Sequence, residues 1–161
     1  MPRPGPGSRP RSDDPAAGTA GFLVAAYNHI RLAHSSPSAI DMVELDGKQV
    51  ERGWGDKLSA AMNARLSSST FYGNDVDPKM VRLATMNLTL RGLPNVRILK
   101  RNALTTTLER GELAALGLPL DGYDVILANP PFSGSLDKDR IVDDVRVGTT
   151  TATELLFLRY M

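Results

Sequence analysis

The chain has 161 residues, 42% hydrophobic and 23% charged, which suits one globular domain with a real core. A net charge of +1 provides no overall field for a polyanion, so any nucleic-acid contact must be local or supplied by a partner. The absence of Cys excludes disulfides and thiolate metal sites, and with only His29 and His34 present no metal site is expected. No apolar run is long enough to span a bilayer and no signal-peptide core opens the chain, so a cytoplasmic protein with no membrane contact is the expectation.

Residues 1–12, MPRPGPGSRPRS, cannot bury apolar surface and are expected to form a disordered tail. Its Arg3, Arg9 and Arg11 read as solvated rather than as phosphate contacts. Residues 13–23, DDPAAGTAGFL, are a run of small residues feeding a helical pattern, with Phe22, Ala26 and Ile30 on one stripe, Leu23 and Tyr27 beside it, and Thr19 as N-cap. Such a loop lets a ligand approach bare N–H groups at the positive end of a helix, although a tight turn into a helix is an equal reading. It should follow a hydrophobic strand, and residues 1–12 offer none.

Residues 34–69 are less legible. Met42 to Leu45 and Lys48 to Glu51 flank Asp46-Gly47, a hairpin signal. Asp56 is placed to cap a helix over 57–66, Ser67-Ser68-Ser69 reads as a linker, and Trp54 reads as a packed loop aromatic. Residues 70–77, TFYGNDVD, read as a strand ending in acids. The next helix is well marked: Asp77 at N-cap, Pro78 at N1, Gly92 past its end, and Val81, Ala84 and Leu88 on one face, flanked by Met80, Leu83 and Leu90. Residues 96–99 make a further strand, 109–116 a helix, and 123–128 a strand apolar enough to be buried on both faces. Alternating strands and helices imply right-handed crossovers and a parallel sheet. A mobile, charged loop is expected after Phe132, then a terminal amphipathic helix from Thr153 with Leu155, Leu156 and Leu158 inward.

The strand at 123–128 stops at Asn129-Pro130-Pro131-Phe132. Prolines donate no N–H and hold φ, so a buried strand runs into a rigid polar-aromatic tip. In open α/β sheets ligands sit at the carboxyl ends of strands. Two other strand ends carry polar residues: Asp75, whose carboxylate can accept from vicinal hydroxyls, and Asn102, whose amide can read a base edge. Each has a bland counterpart, a solvated acid and a turn former respectively.

With these motifs in order, the chain resembles the S-adenosylmethionine-dependent amino-group methyltransferases that act on DNA adenine. NPPF resembles their catalytic motif, DPAAGTAGFL their first cofactor motif, and YGNDVDPKMVRLATMNLTLRGL their second motif with its following helix. The MNL run and TELLFLRYM look like the modification subunit of type I restriction-modification systems. The resemblance covers residues 13–161, patchily over 34–69, and implies a Rossmann-like methyltransferase fold with a parallel sheet and flanking helices, incomplete at both ends. It implies that Asp14, Pro15, Ala16, Gly18, Thr19, Gly21 and Phe22 wrap the methionine part of S-adenosylmethionine. Asp75 would hold the ribose hydroxyls and Val76 lie on the adenine ring. Asn102, with Ala103 beside it, takes the position where an Asp commonly binds the cofactor's adenine amino group.

Adenine N6 is a poor nucleophile because its lone pair is delocalised into the ring. The side-chain oxygen of Asn129 and the carbonyl of Pro130 can grip both its hydrogens and stabilise positive charge as it develops. The two prolines set the carbonyl's direction in advance, and Phe132 offers a face for a base flipped out of the duplex. The expected partners are double-stranded DNA, a specificity subunit and a restriction subunit, the specificity subunit supplying sequence recognition. Three convincing strands are fewer than a full sheet of this class holds, so residues 13–161 are expected to be part of a catalytic domain. The alternatives are an RNA or protein amino- or amide-group methyltransferase, and a non-catalytic truncated remnant.

Overall fold

The computed structural model of the chain describes residues 11–45, 47–131 and 134–161; most of the expected tail, Asp46 and Phe132 lie outside them. In chain order the elements are β1 (Ser12–Asp14), α1 (Gly21–Ala33), β2 (Ile40–Leu45), β3 (Lys48–Gly53), α2 (Ala60–Ser68), β4 (Phe71–Asp75), α3 (Pro78–Thr89), β5 (Arg97–Lys100), α4 (Arg110–Ala115), β6 (Val125–Ile126) and α5 (Thr153–Tyr160). The main sheet runs β5-β4-β1-β6 with every pair parallel, and β2 and β3 form a separate antiparallel hairpin. This is the expected α/β architecture, and it gathers the carboxyl ends of four strands along one edge.

The central strand is the one the sequence hides. β1 is only three residues, Ser-Asp-Asp, all buried, paired to β4 through Asp13↔Tyr72 and to β6 through Asp13↔Ile126. Hydrophobic patterning cannot reveal it, because its three residues carry no apolar side chain and only its ladder bonds to β4 and β6 identify it. Arg11, just before it, is not a solvated tail residue: its N–H donates to Asp124 Oδ2 at 2.7 Å and its guanidinium lies 3.7 Å from the same oxygen.

β6 is shorter and less buried than its composition implies. Only Val125 and Ile126 pair, and Val125 is 40% exposed. The strand has one neighbour in the described sheet and then meets Pro130 and Pro131, which cannot donate to a ladder.

Alternation along β4 divides the core. Phe71 points into a cluster with Leu23 and Val24 of α1, Leu66 of α2 and Ala84 and Leu88 of α3. Tyr72 and Asn74 point to the other face, where α5 lies; Tyr72 packs against Tyr123 there, with centroids 5.5 Å apart and the rings tilted by 53°. A second cluster joins Leu104, Ile141, Val145, Leu156 and Phe157. The segment after the tip is therefore not a free loop: two 3₁₀ turns, Lys138–Arg140 and Asp143–Val145, drop Ile141 and Val145 into that cluster while their charged neighbours stay in water.

Several helix details shift. α3 starts and stops as its sequence says, with Asp77 accepting from the Lys79 N–H at 2.7 Å, Pro78 at the first turn and Gly92 at φ 82°. Its flanking Leu83 and Leu90, however, are exposed. α1 is capped by Ala20 in the left-handed conformation (φ 64°), not by Thr19, and buries Leu23 and Val24 while Phe22 faces outward. α2 is capped by Ser59, which accepts from the Met62 N–H, and Ser67 and Ser68 belong to the helix. Asp56 instead accepts from the Ser36 N–H at 2.8 Å and from its hydroxyl at 2.6 Å, which holds its carboxyl below the usual range. α5 turns Leu156 and Phe157 inward and leaves Leu155 and Leu158 exposed. Trp54 is half exposed and held at the surface, with its indole N–H on Asp41 at 2.6 Å and the Arg52 guanidinium 4.6 Å above its ring.

Candidate functional site

The carboxyl ends of β1, β4, β5 and β6 enclose a cleft of about 530 Å³, within the range of small-molecule sites. Of the residues singled out from the sequence, Pro15, Ala16, Asp75, Val76, Asn102, Ala103, Asn129 and Pro131 line it. Asp14, Gly18, Thr19, Gly21, Phe22 and Pro130 do not, and Phe132 lies outside the described residues.

The β1–α1 loop is built on backbone hydrogen bonds. Asp14 is buried, and its Oδ1 accepts from the Ala16 N–H at 3.2 Å, turning the chain at once after the strand. The Ala17 N–H donates to the Asn74 carbonyl at 2.9 Å, and the Gly18 N–H donates to Asp75 Oδ2 at 2.8 Å. Gly73 makes this close approach possible: a Cβ there would lie 3.0 Å from Ile98 Cδ1, 3.2 Å from Ala17 Cβ and 3.2 Å from the Asp14 carbonyl. The opening N–H groups of α1 have no intrahelical partner, but α1 begins at Gly21, outside the cleft lining, so this loop meets the cleft through Pro15 and Ala16.

Asp75 does two jobs within the fold. Besides Gly18, it receives the Asp77 N–H on Oδ1 at 2.9 Å. Its two oxygens hold the loop and the strand end in place and keep further lone pairs for a ligand. Asp14 sits beside it; burial, and then the Asp75 charge, push the Asp14 carboxyl up to about 6. Val76 is exposed next to Asp75, an apolar surface on the cleft wall. Asn102 is engaged as a turn former, its Oδ1 accepting from the Leu104 N–H at 2.9 Å, which leaves Nδ2 and a second lone pair on Oδ1 for a ligand.

Asn129 is exposed on the opposite wall. The tip behind it is fastened by α5. Thr153, which the sequence marked only as a helix start, is buried, and its hydroxyl lies 3.4 Å from the Pro131 carbonyl and 3.3 Å from the Gly134 carbonyl, placed to donate to either. The Thr153 N–H donates to Gly134 as well, and Ser135 bridges to Ala152. Thr153, Leu104 and Phe157 thus belong to the cleft although no local pattern identified them.

A buried polar group lies under the same strand ends. Asp13 is fully buried; its Oδ2 accepts from the Tyr160 hydroxyl at 3.3 Å, and Oδ1 has no protein partner. Arg101 reaches Tyr160 at 3.4 Å and Asn74 Oδ1 at 3.2 Å. Burial raises Asp13 to about 6, partly offset by the Arg101 charge and the Tyr160 hydrogen bond. Burial and then the Asp13 charge push the Tyr160 phenol up to about 12.

A carboxylate, an apolar wall, a carboxamide and the Pro15–Ala16 backbone around one cleft form a set that fits a nucleoside. The comparisons agree in kind. The family model for N-6 DNA methylase matches residues 8–161. The chain resembles the modification subunit of a type I restriction enzyme from Vibrio vulnificus YJ016 (TM-score 0.60, 26% identity, 93% of this chain and 25% of that one). It also resembles the M protein of the type I restriction enzyme EcoKI (TM-score 0.61, 22% identity, 94% and 26%). A third match is a chain of a type I R-M system solved for its complex assembly and conformational transition (TM-score 0.62, 25% identity, 94% and 24%). The chain spans about a quarter of the length of the solved chains it matches.

Proposed function

Because the chain belongs to the N-6 DNA methylase family, we propose that its residues 13–161 form part of the catalytic domain of a type I modification subunit, which methylates adenine N6 in double-stranded DNA. The observation that carries this reading is that Asp75 and Asn129, 54 positions apart in sequence, face one cleft. One wall offers what a nucleoside cofactor needs and the other what an exocyclic amine needs.

S-adenosylmethionine, when bound, supplies an electrophilic sulfonium methyl group. The chain's own residues do the rest. Asp75 accepts from ribose hydroxyls, Val76 covers the adenine face, and the Asn102 amide nitrogen donates to a ring nitrogen. The Asn102 oxygen, which holds the Leu104 N–H, keeps a second lone pair that can accept from the adenine amino group as the usual Asp at this position does, without the charge. Asp14 to Phe22 surround the methionine part with backbone. In the tip, Asn129, which lines the other wall, and the Pro130 carbonyl would accept the two N6 hydrogens of a flipped adenine, and Phe132 would stack on the base. No side chain is assigned as a base, and the proton leaves to water after transfer. Site choice on DNA is assigned to a separate specificity subunit, in keeping with the chain's small net charge.

Calorimetric titration of S-adenosylmethionine into the purified chain tests the cofactor half. Asp75→Ala should weaken binding by about tenfold or more, and Asn129→Ala should leave it within about threefold. In an assembled modification enzyme carrying this segment, Asn129→Ala should lower methyl transfer to DNA by roughly 10²–10³-fold. Transfer that survives this change would overturn the catalytic assignment.

A further inference from the structure

The MNL run of α3 touches neither wall of the cleft, yet its Asn87 reaches 68 residues back along the chain. Asn87 Nδ2 donates to the Thr19 carbonyl at 2.8 Å. Arg91 donates to Asn87 Oδ1 and, at 3.2 Å, to the Asn87 carbonyl. With the oxygen of the carboxamide committed to Arg91, the nitrogen must face the loop.

A trans peptide points its C=O and N–H in opposite directions. Holding the Thr19 carbonyl toward α3 therefore turns the Ala20 N–H away, and that N–H donates to the Ala17 carbonyl at 2.7 Å. Ala20 itself is fully buried and left-handed at φ 64°, the sole non-glycine residue with positive φ among those described. An L-residue adopts that conformation only when its surroundings demand it. The loop is thus held at two points by distant side chains: Asp75 takes the Gly18 N–H, and Asn87 takes the Thr19 carbonyl.

We propose that Asn87, oriented by Arg91, is a positioning residue for the cofactor loop, setting the Thr19–Ala20 peptide plane and with it the direction of the N–H groups at the start of α1. This inference rests on the reading of residues 14–22 as a cofactor loop. It gives Asn87 a role separate from the core packing of its neighbour Leu88.

Asn87→Asp is the discriminating variant: it keeps the shape and the Arg91 partner, and puts an anionic acceptor where the donor to the Thr19 carbonyl was. In the full chain it should weaken S-adenosylmethionine binding about tenfold. It should also speed hydrogen exchange at the Gly18 and Ala20 amides by a similar factor, with Leu88 in α3 and Phe71 in β4 unchanged. Adding Ala20→Gly should recover part of the affinity, because glycine takes the left-handed conformation without a Cβ clash. A wild-type chain that takes up no cofactor at millimolar concentration would overturn the cofactor reading and this inference with it. A wild-type chain that binds, with Asn87→Asp indistinguishable from it in both affinity and exchange, would overturn the inference alone.

Discussion

Asp13 shows what one residue does to the pH response. An acid whose pKa is raised on folding adds stability that is complete below its unfolded value and is lost as pH rises through its folded value. Asp13 and Asp14 both rise from 3.8 to about 6, so the fold should lose stability between roughly pH 4 and pH 7 and level off above. Asp56 works in the opposite sense but is lowered, so its effect falls at more acid pH, outside a scan from pH 5 to 8. Asp13→Asn keeps an acceptor for Tyr160 and removes the buried charge. At pH 7.5 it should stabilise the chain by on the order of 2–3 kcal/mol, read as a higher melting temperature and a flatter slope across that scan. A slope identical to wild type would clear Asp13 of this role. The residues alone give no hint of this cost: Ser12 reads as the end of a tail and Asp13-Asp14 as the start of a loop, and only pairing with β4 and β6 buries them.

Among the elements, β4 bears most on the site. Its existence as a strand, its acidic end and the helix after it were legible, because Asp75, Asp77, Pro78 and Gly92 are local signals; its place between β5 and β1 was not. Neither was what Gly73 does. It lets the β1–α1 loop lie against the strand, with Ala17, Asp14 and Ile98 where a side chain would be. Gly73→Val should cost about 1–3 kcal/mol through overpacking. Because the displaced part is the loop, the variant should also lose cofactor affinity beyond what its melting temperature explains. Unchanged affinity in a folded variant would show that the loop tolerates the shift. α1 and α5 were legible as helices but not in orientation; several apolar residues on each allow more than one inward face, and packing selects Leu23-Val24 and Leu156-Phe157.

Across the whole molecule, two clusters on opposite faces of the sheet serve different parts of the cleft. The larger one carries the β1–α1 loop and the Asp75 strand end through α1 and α3; the smaller one carries the tip through α5 and Thr153. Leu156 is fully buried in the smaller cluster. Leu156→Ala should cost about 2–4 kcal/mol in urea unfolding. It should expose the segment from 134 to 152 to limited proteolysis before the α1–α3 region opens. Simultaneous cleavage in both regions would show that the clusters unfold as one unit.

The amino-acid order by itself determined the alternation of strands and helices, the parallel sheet, the caps of α3 and the polar strand ends Asp75, Asn102 and Asn129. These are set by neighbours a few residues apart, through periodicity, proline and capping chemistry. Tertiary structure alone decided that Ser12–Asp14 is the central strand, that α5 fastens the tip through Thr153, and that Asn87 and Asp75 hold the β1–α1 loop. Each of those depends on hydrogen bonds between residues tens of positions apart, whose partners are defined only once the sheet has formed.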